Sequence, residues 1–195
     1  MTNIVNREEW LHQGYKLLAV EVFKRVNIEV PADVKISCSF PSAKGLSAKR
    51  ARIGECWPRE ASTAKVNEIF ISPKVDNPVE VLDILAHELI HATDNCKSGH
   101  RGFFAKTAKL IGLEGKMTAT HAGEVLKEKL QAIIDKIGEY PHARIDYTRT
   151  KKQSTRMIKV SCRECDFSYR TSQRNIDNIE NHTCNCCGSW SMYTC

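Results

Sequence analysis

No apolar run in this chain of 195 residues approaches the roughly 20 residues that a membrane-spanning helix needs, so the sequence excludes such a span. The start, Met1 to Glu9, lacks the basic and apolar stretches of a secretory signal peptide, and the expected location is the cytoplasm. Internal repeats and low-complexity tracts are absent, which removes the solenoid and fibrous classes. What is there suits a folded protein. A hydrophobic fraction of 42% can fill a core, and 27% charged residues is ordinary for a soluble chain. The length fits one domain with a small appendage, and a monomer is expected.

The formal net charge is +6. From Pro141 onward there are nine Lys/Arg against five Asp/Glu, so +4 of it lies in the last 55 residues. A basic tail of this kind can attract nucleic acid, although modest positive charge also serves solubility.

The densest chemistry is the pentapeptide His87-Glu88-Leu89-Ile90-His91. It continues the apolar stretch Val79 to Ala86, which reads as helix. Histidines four apart share one helix face, about one turn from each other, and can grip one Zn²⁺. Glu88 can then reach a bound water and act as general base, the H-E-x-x-H arrangement of zinc peptidases. A catalytic zinc usually keeps three protein ligands and one open position. His100 is the expected third ligand, because Asp94-Asn95 and Ser98-Gly99 can end the helix and turn the chain back. Glu114, His121 and Glu124 compete for that role. Asp94 is a candidate hydrogen-bond partner for a ligand histidine, while Asp83 is expected in solvent.

Around this motif the pattern predicts an α+β protein. Asn6 and Glu9 form a capping box for a packing helix up to about Val26. Three short strands are expected at residues 34–40, 51–57 and 66–72, and Asn77-Pro78 opens the motif helix. The strand at 66–72 is expected at the sheet edge, where it can hold an extended substrate by main-chain pairing. A helix from about Phe103 to Ile111 ends at Gly112. Thr120 caps the next one, which presents Leu126, Leu130, Ile133, Ile134 and Ile137 and stops at Gly138. The expected organisation is a domain over 1–140, a basic linker over 141–157 and a cysteine unit over 158–195.

The last unit carries Cys162-x-x-Cys165 and Cys184-x-x-Cys187, the spacing of a zinc ribbon. Four thiolates close a tetrahedral structural site, and so small a unit needs the metal to stay folded. The register is open: Cys186 could replace Cys184 or Cys187, and His182 or Cys195 could join, while Gly188 favours Cys187. Cys38, Cys56 and Cys96 read as core residues.

The chain resembles the SprT-like zinc metallopeptidases, which include Spartan-type DNA–protein-crosslink proteases. The resemblance rests on Ala86-His87-Glu88-Leu89-Ile90-His91-Ala92, on Gly99-His100 with Phe104, on Ile111-Gly112-Leu113 and on the ribbon cysteines. The segment from Gly112 to Thr120 looks like phage-type members. The likeness implies a zincin-like minimal metallopeptidase domain with a C-terminal zinc ribbon. It also implies His87, His91 and His100 as zinc ligands and Glu88 as catalytic base. Where the family often has glycine after the third histidine, this chain has Arg101 and then Gly102. The expectation is a zinc endopeptidase with one catalytic and one structural zinc. Its substrate is protein, with DNA, single-stranded or non-specific, recruited through the basic C-terminal region. Two rivals are a non-catalytic DNA-binding module with structural zincs and a repressor-cleaving regulator of the ImmA/IrrE kind.

Overall fold

Asn6 opens the first helix, α1 (Arg7–Leu18), by accepting a hydrogen bond from Glu9 N at 2.9 Å. The helical path continues through a wide π-type turn at Ala19–Phe23 and a tight turn at Lys24–Val26, and ends at Asn27 in the left-handed region. Trp10, Leu11, Leu18, Val22 and Phe23 make one buried stripe, as the spacing predicts. The structure, a computed structural model, describes residues 6–47, 51–146, 149, 157–178, 183–189 and 192–194. It divides into two units, Met1–Thr148 and Arg149–Cys195.

In the first unit, β1 (Lys35–Cys38), β2 (Gly54–Trp57) and β3 (Glu68–Ile71) form a sheet in the order β1-β3-β2. β1 runs parallel to β3 and β2 runs antiparallel to it. The segment expected at the edge is therefore the central strand. Ile69 and Ile71 are fully buried, and the most apolar of the three strands takes the position where both sides of the backbone are paired. The edges fall to β1 and β2.

Helix α2 (Pro78–Thr93) is capped by Asn77, which accepts from Glu80 N at 3.1 Å, with Pro78 in its first turn. It is apolar on most of its surface. Val81, Leu82, Leu85, Ala86, Leu89 and Ile90 are fully buried against α1, the sheet and two later helices. Those later helices are α3 (Gly102–Ile111), closed by Gly112 at φ 96, and α4 (Glu124–Ile137), closed by Gly138 at φ 85. Leu126, Leu130, Ile133 and Ile134 of α4 face the core, as predicted.

Between α3 and α4 the sequence reading fails. Thr120 does not cap a helix. Residues Leu113–Lys116 (β4) and Ala119–Ala122 (β5) form an antiparallel hairpin, and α4 starts only after Gly123. The chain reverses at Met117 and Thr118, Gly115 takes φ 87 within β4, and a Cβ at Gly123 would meet the Glu114 carboxylate and come within 3.1 Å of Gly112 O. Residues 141–146, expected to begin a linker, lie along this unit: Ile145 N donates to Pro73 O at 2.9 Å.

The second unit is a three-stranded antiparallel sheet, β7-β6-β8, from Ile158–Cys162 (β6), Ser168–Thr171 (β7) and Met192–Thr194 (β8). A short helix, α5 (Gln173–Asp177), is capped by Ser172. The chain is thus mixed α+β with small sheets. Among the described residues no helix is long and apolar enough to cross a membrane.

Candidate metal centres

Because α2 is buried on nearly every side, its motif residues reach open space only at a cleft of about 650 Å³. His87 and His91, one turn apart, point into that cleft from the same face. The chain leaves α2 through a turn with Asn95 at φ 55 and Cys96 at φ 62, then through Gly99 at φ 54 and Gly102 at φ 48. His100 sits between these two glycines and swings back over the helix. Its Nε2 lies 3.3 Å from Nε2 of His87 and 3.3 Å from Nε2 of His91. A tetrahedral ion with metal–nitrogen bonds of about 2.0–2.1 Å spans neighbouring nitrogens about 3.3–3.4 Å apart. The three atoms are therefore spaced as ligands of one four-coordinate ion, and the group could hold a metal. The Arg101-Gly102 order does not displace His100: Arg101 is the extended residue that precedes α3, and Gly102 takes the turn.

The protonation of the triad fits that use. Burial, then the neighbouring histidines, pulls His87 down to about 3. Burial and His100 pull His91 down to about 4. His100 is lowered too, by burial and then by Arg52. All three imidazoles are neutral at pH 7, the state that a metal ligand requires. Phe104 of α3, fully buried, lies beneath them with ring centroids 4.4 Å from His91, 4.7 Å from His87 and 5.0 Å from His100.

Glu88 lines the same cleft on the side of β2 and is 6% exposed. Burial, and then the Cys96 thiol, pushes its carboxyl up to about 8. Gly54 is packed against it. A Cβ there would lie 2.5 Å from Glu88 Oε1 and 2.6 Å from Ile84 Cγ2.

The competitors stand elsewhere. Glu114 and His121 are exposed and opposite each other on the β4–β5 hairpin, and Glu124 pairs with Lys127 at 2.7 Å. Strand alternation explains His121: Thr120, its neighbour, points to the site, with Oγ1 2.7 Å from His87 Nδ1. Thr120 thus fixes the orientation of the His87 ring from its second nitrogen. Asp94 accepts from Ser98 N at 2.9 Å and so fastens the turn toward His100. Asp83 is not in solvent. It is half-buried, and burial pushes its carboxyl up to about 6.

Sequence reasoning gave Asn95 a helix-ending role but not its tethering one. Its Oδ1 accepts from Arg59 N at 2.8 Å and from Asn67 Nδ2 at 3.1 Å, and its Nδ2 donates to Glu60. These bonds pin the turn between His91 and His100 to the sheet side. A lone Asn-Cys dipeptide gives no local signal of this.

Set against protein-family models, curated proteins and solved structures, the chain matches none.

The second unit contains the other cluster. Cys162 and Cys187 have Sγ atoms 3.7 Å apart, and Cys165 and Cys184 have theirs 3.6 Å apart. A tetrahedral ion bound by sulfur at about 2.3 Å spans about 3.8 Å between sulfurs. The four could hold a metal ion. Among the described residues Cys184 and Cys187 belong to the cluster, and Cys186 is exposed outside it. His182 and Cys195 lie outside the described residues. Gly188 at φ 72 closes the second knuckle, with its N–H on Cys184 O at 2.8 Å. Burial raises the Cys184 thiol, but the N–H groups of Cys187 and Cys186 bring it down to about 7, toward the thiolate a metal needs.

Proposed function

We propose that this chain is a zinc-dependent endopeptidase of zincin type, akin to the SprT-like enzymes, whose cysteine unit brings it to DNA-associated protein substrates. The observation that carries the peptidase reading is the convergence of three histidine Nε2 atoms in a cleft, with a buried carboxylate from the same helix beside them. The donor chemistry favours zinc: three neutral imidazoles at one centre and four sulfurs at the other, each at tetrahedral spacing. His87, His91 and His100 would hold the catalytic ion and leave a fourth position open. Cys162, Cys165, Cys184 and Cys187 would close the structural one.

When bound, a zinc ion polarises a carbonyl and lowers the pKa of water toward about 7. Glu88 takes the proton from the attacking water and returns it to the leaving amine. Its burial suits the task, because a carboxyl with a raised pKa holds the proton between the two transfers. Thr120 keeps the His87 ring in register. The edge strand β2 borders the cleft through Gly54, Glu55 and Cys56, and an extended peptide can pair with it there.

Nucleic-acid recruitment is supported by charge placement. Lys159 and Arg170 are exposed and directly opposite each other on β6 and β7, and Arg163 and Arg174 are exposed nearby in the chain. Like charges facing across a ladder repel, and a phosphate between them relieves this. Lys151, Lys152, Arg156 and Trp190 lie outside the described residues.

The test is proteolysis of DNA-bound proteins, with and without DNA, by the wild-type chain and Glu88→Gln. The wild type is expected to cleave, and faster with DNA. Glu88→Gln keeps the first ion and loses roughly a hundred- to ten-thousandfold in rate. Wild-type turnover in Glu88→Gln removes the peptidase reading. Equal DNA affinity of the full chain and one cut after residue 149, by fluorescence anisotropy at low salt, removes the recruiting role.

A further inference from the structure

Two thiols outside both metal clusters face each other at the wall of the histidine cleft. Cys56 on β2 and Cys96 in the turn after α2 have Sγ atoms 3.6 Å apart, although 40 positions separate them in the chain. Cys96 Sγ also lies 3.5 Å from Cys56 O. Both border the cleft, and neither is fully buried. The expectation that they are simple core residues holds for Cys56, which packs on the core, but not for Cys96. A disulfide needs sulfurs at about 2.05 Å, so the pair lies roughly 1.6 Å from bonding distance.

We propose that Cys56 and Cys96 are a dithiol oxidation site for peroxides, whose disulfide ties β2 to the turn between His91 and His100 and turns the adjacent site down. Only the consequence for cleavage rests on the peptidase reading; the chemistry of the pair does not. One sulfur attacks the peroxide. Its S–O bond forms as the O–O bond breaks, leaving a sulfenic acid and one water. The second thiol then displaces the hydroxyl: the S–S bond forms, the S–O bond breaks and a second water leaves. Two thiols are oxidised and one peroxide is reduced to two waters.

The consequence follows from what β2 touches. Gly54, two residues before Cys56 on β2, packs on the Glu88 carboxylate without spare room. Drawing Cys56 toward Cys96 moves that contact. The other end of the cross-link is the turn that carries His100, held at left-handed angles by Asn95 and Cys96. A misplacement near 1 Å at a reacting group can cost about a hundredfold in rate.

The test uses the full-length, zinc-loaded protein treated with hydrogen peroxide, alkylated and mapped by mass spectrometry without reduction. The expected result is a Cys56–Cys96 cross-linked peptide, together with a loss of cleavage of at least about tenfold that dithiothreitol restores. Cys96→Ser, given the same peroxide, keeps the rate it had before treatment. Over-oxidised Cys56 and Cys96 with no cross-link between them overturns the proposal. So does an equal loss in Cys96→Ser, which assigns the effect to the cysteine cluster of the second unit. A chain that cleaves nothing at all sinks the peptidase reading, and the mapped cross-link alone then decides the dithiol site.

Discussion

Gly54→Ala adds one methyl group and should cost most of the activity. Gly54 has an ordinary backbone angle, so the requirement for glycine is steric. The new Cβ would lie 2.5 Å from Glu88 Oε1, 2.6 Å from Ile84 Cγ2 and 3.0 Å from Glu88 Cγ. Real Cβ contacts essentially never fall below 3.0 Å, so the carboxylate or the strand must shift by at least half an ångström. Neither side yields easily. Glu88 is buried between α2 and β2, and β2 is paired along its length with β3. Overpacking of this kind destabilises by about 1–3 kcal/mol, and a general base displaced toward 1 Å loses up to about a hundredfold in rate. The expected outcome is a folded, metal-loaded protein with kcat reduced roughly ten- to a hundredfold. Cleavage kinetics, metal analysis and thermal unfolding on the same preparation read it. Wild-type kcat in a folded Gly54→Ala protein would show that Glu88 is not clamped as described, and the base assignment would lose its positional support.

Three further outcomes follow from the same geometry. Elemental analysis should find two metal ions per chain, falling to one in Cys165→Ser/Cys184→Ser; one ion in both proteins denies the second centre. His100→Ala should lose the first ion while His121→Ala keeps it, and Thr120→Val should weaken it by about ten- to a hundredfold, read by chelator competition; unchanged affinity in His100→Ala refutes the triad. Asp83 has its carboxyl raised by burial from about 3.8 to about 6, so its ionisation opposes folding. That contribution to stability is present below pH 4 and is lost as pH rises through about 6, by about 3 kcal/mol in total. Asp83→Asn should therefore be more stable than wild type at pH 7 and no more stable at pH 4, by urea unfolding in chelator; an equal difference at both values refutes the assignment.

What the sequence made legible was what is encoded locally. His87 and His91 are placed by the 3.6-residue period alone, and that period is written in the apolar residues around them. His100 was legible because Gly99 and Gly102 mark the turn that returns it. The C-x-x-C pairs announce their own knuckles, and only the choice among Cys184, Cys186 and Cys187 needed the fold. The central position of β3 was not legible, because strand order is a long-range property. Alternating Ile69 and Ile71 say which face is buried but not how many neighbours the backbone has. Thr120 was misread for a related reason. A threonine ahead of an apolar run can cap a helix or sit in a strand, and Gly115 and Gly123 decided for the hairpin.

The misses share a location. They fall on the layer around the three histidines and Glu88: Thr120 on His87, Gly54 on Glu88, and Asn95 on the turn before His100. None of these lies on α2, and each is brought to it by β2, by β5 or by the turn. Glu88 and its two histidines arrive together on one helix, so a motif of this kind survives in a chain whether or not its surroundings still hold the groups in place. Retention of the base is therefore weaker support for catalysis than retention of the contacts that aim it. A hydroxyl on the far nitrogen of the first histidine serves metal binding and catalysis alike, whereas a glycine opposite the carboxylate has no evident use in a site that only binds metal. Gly54 is therefore the residue whose replacement tests a catalytic centre of this design against a vestigial one.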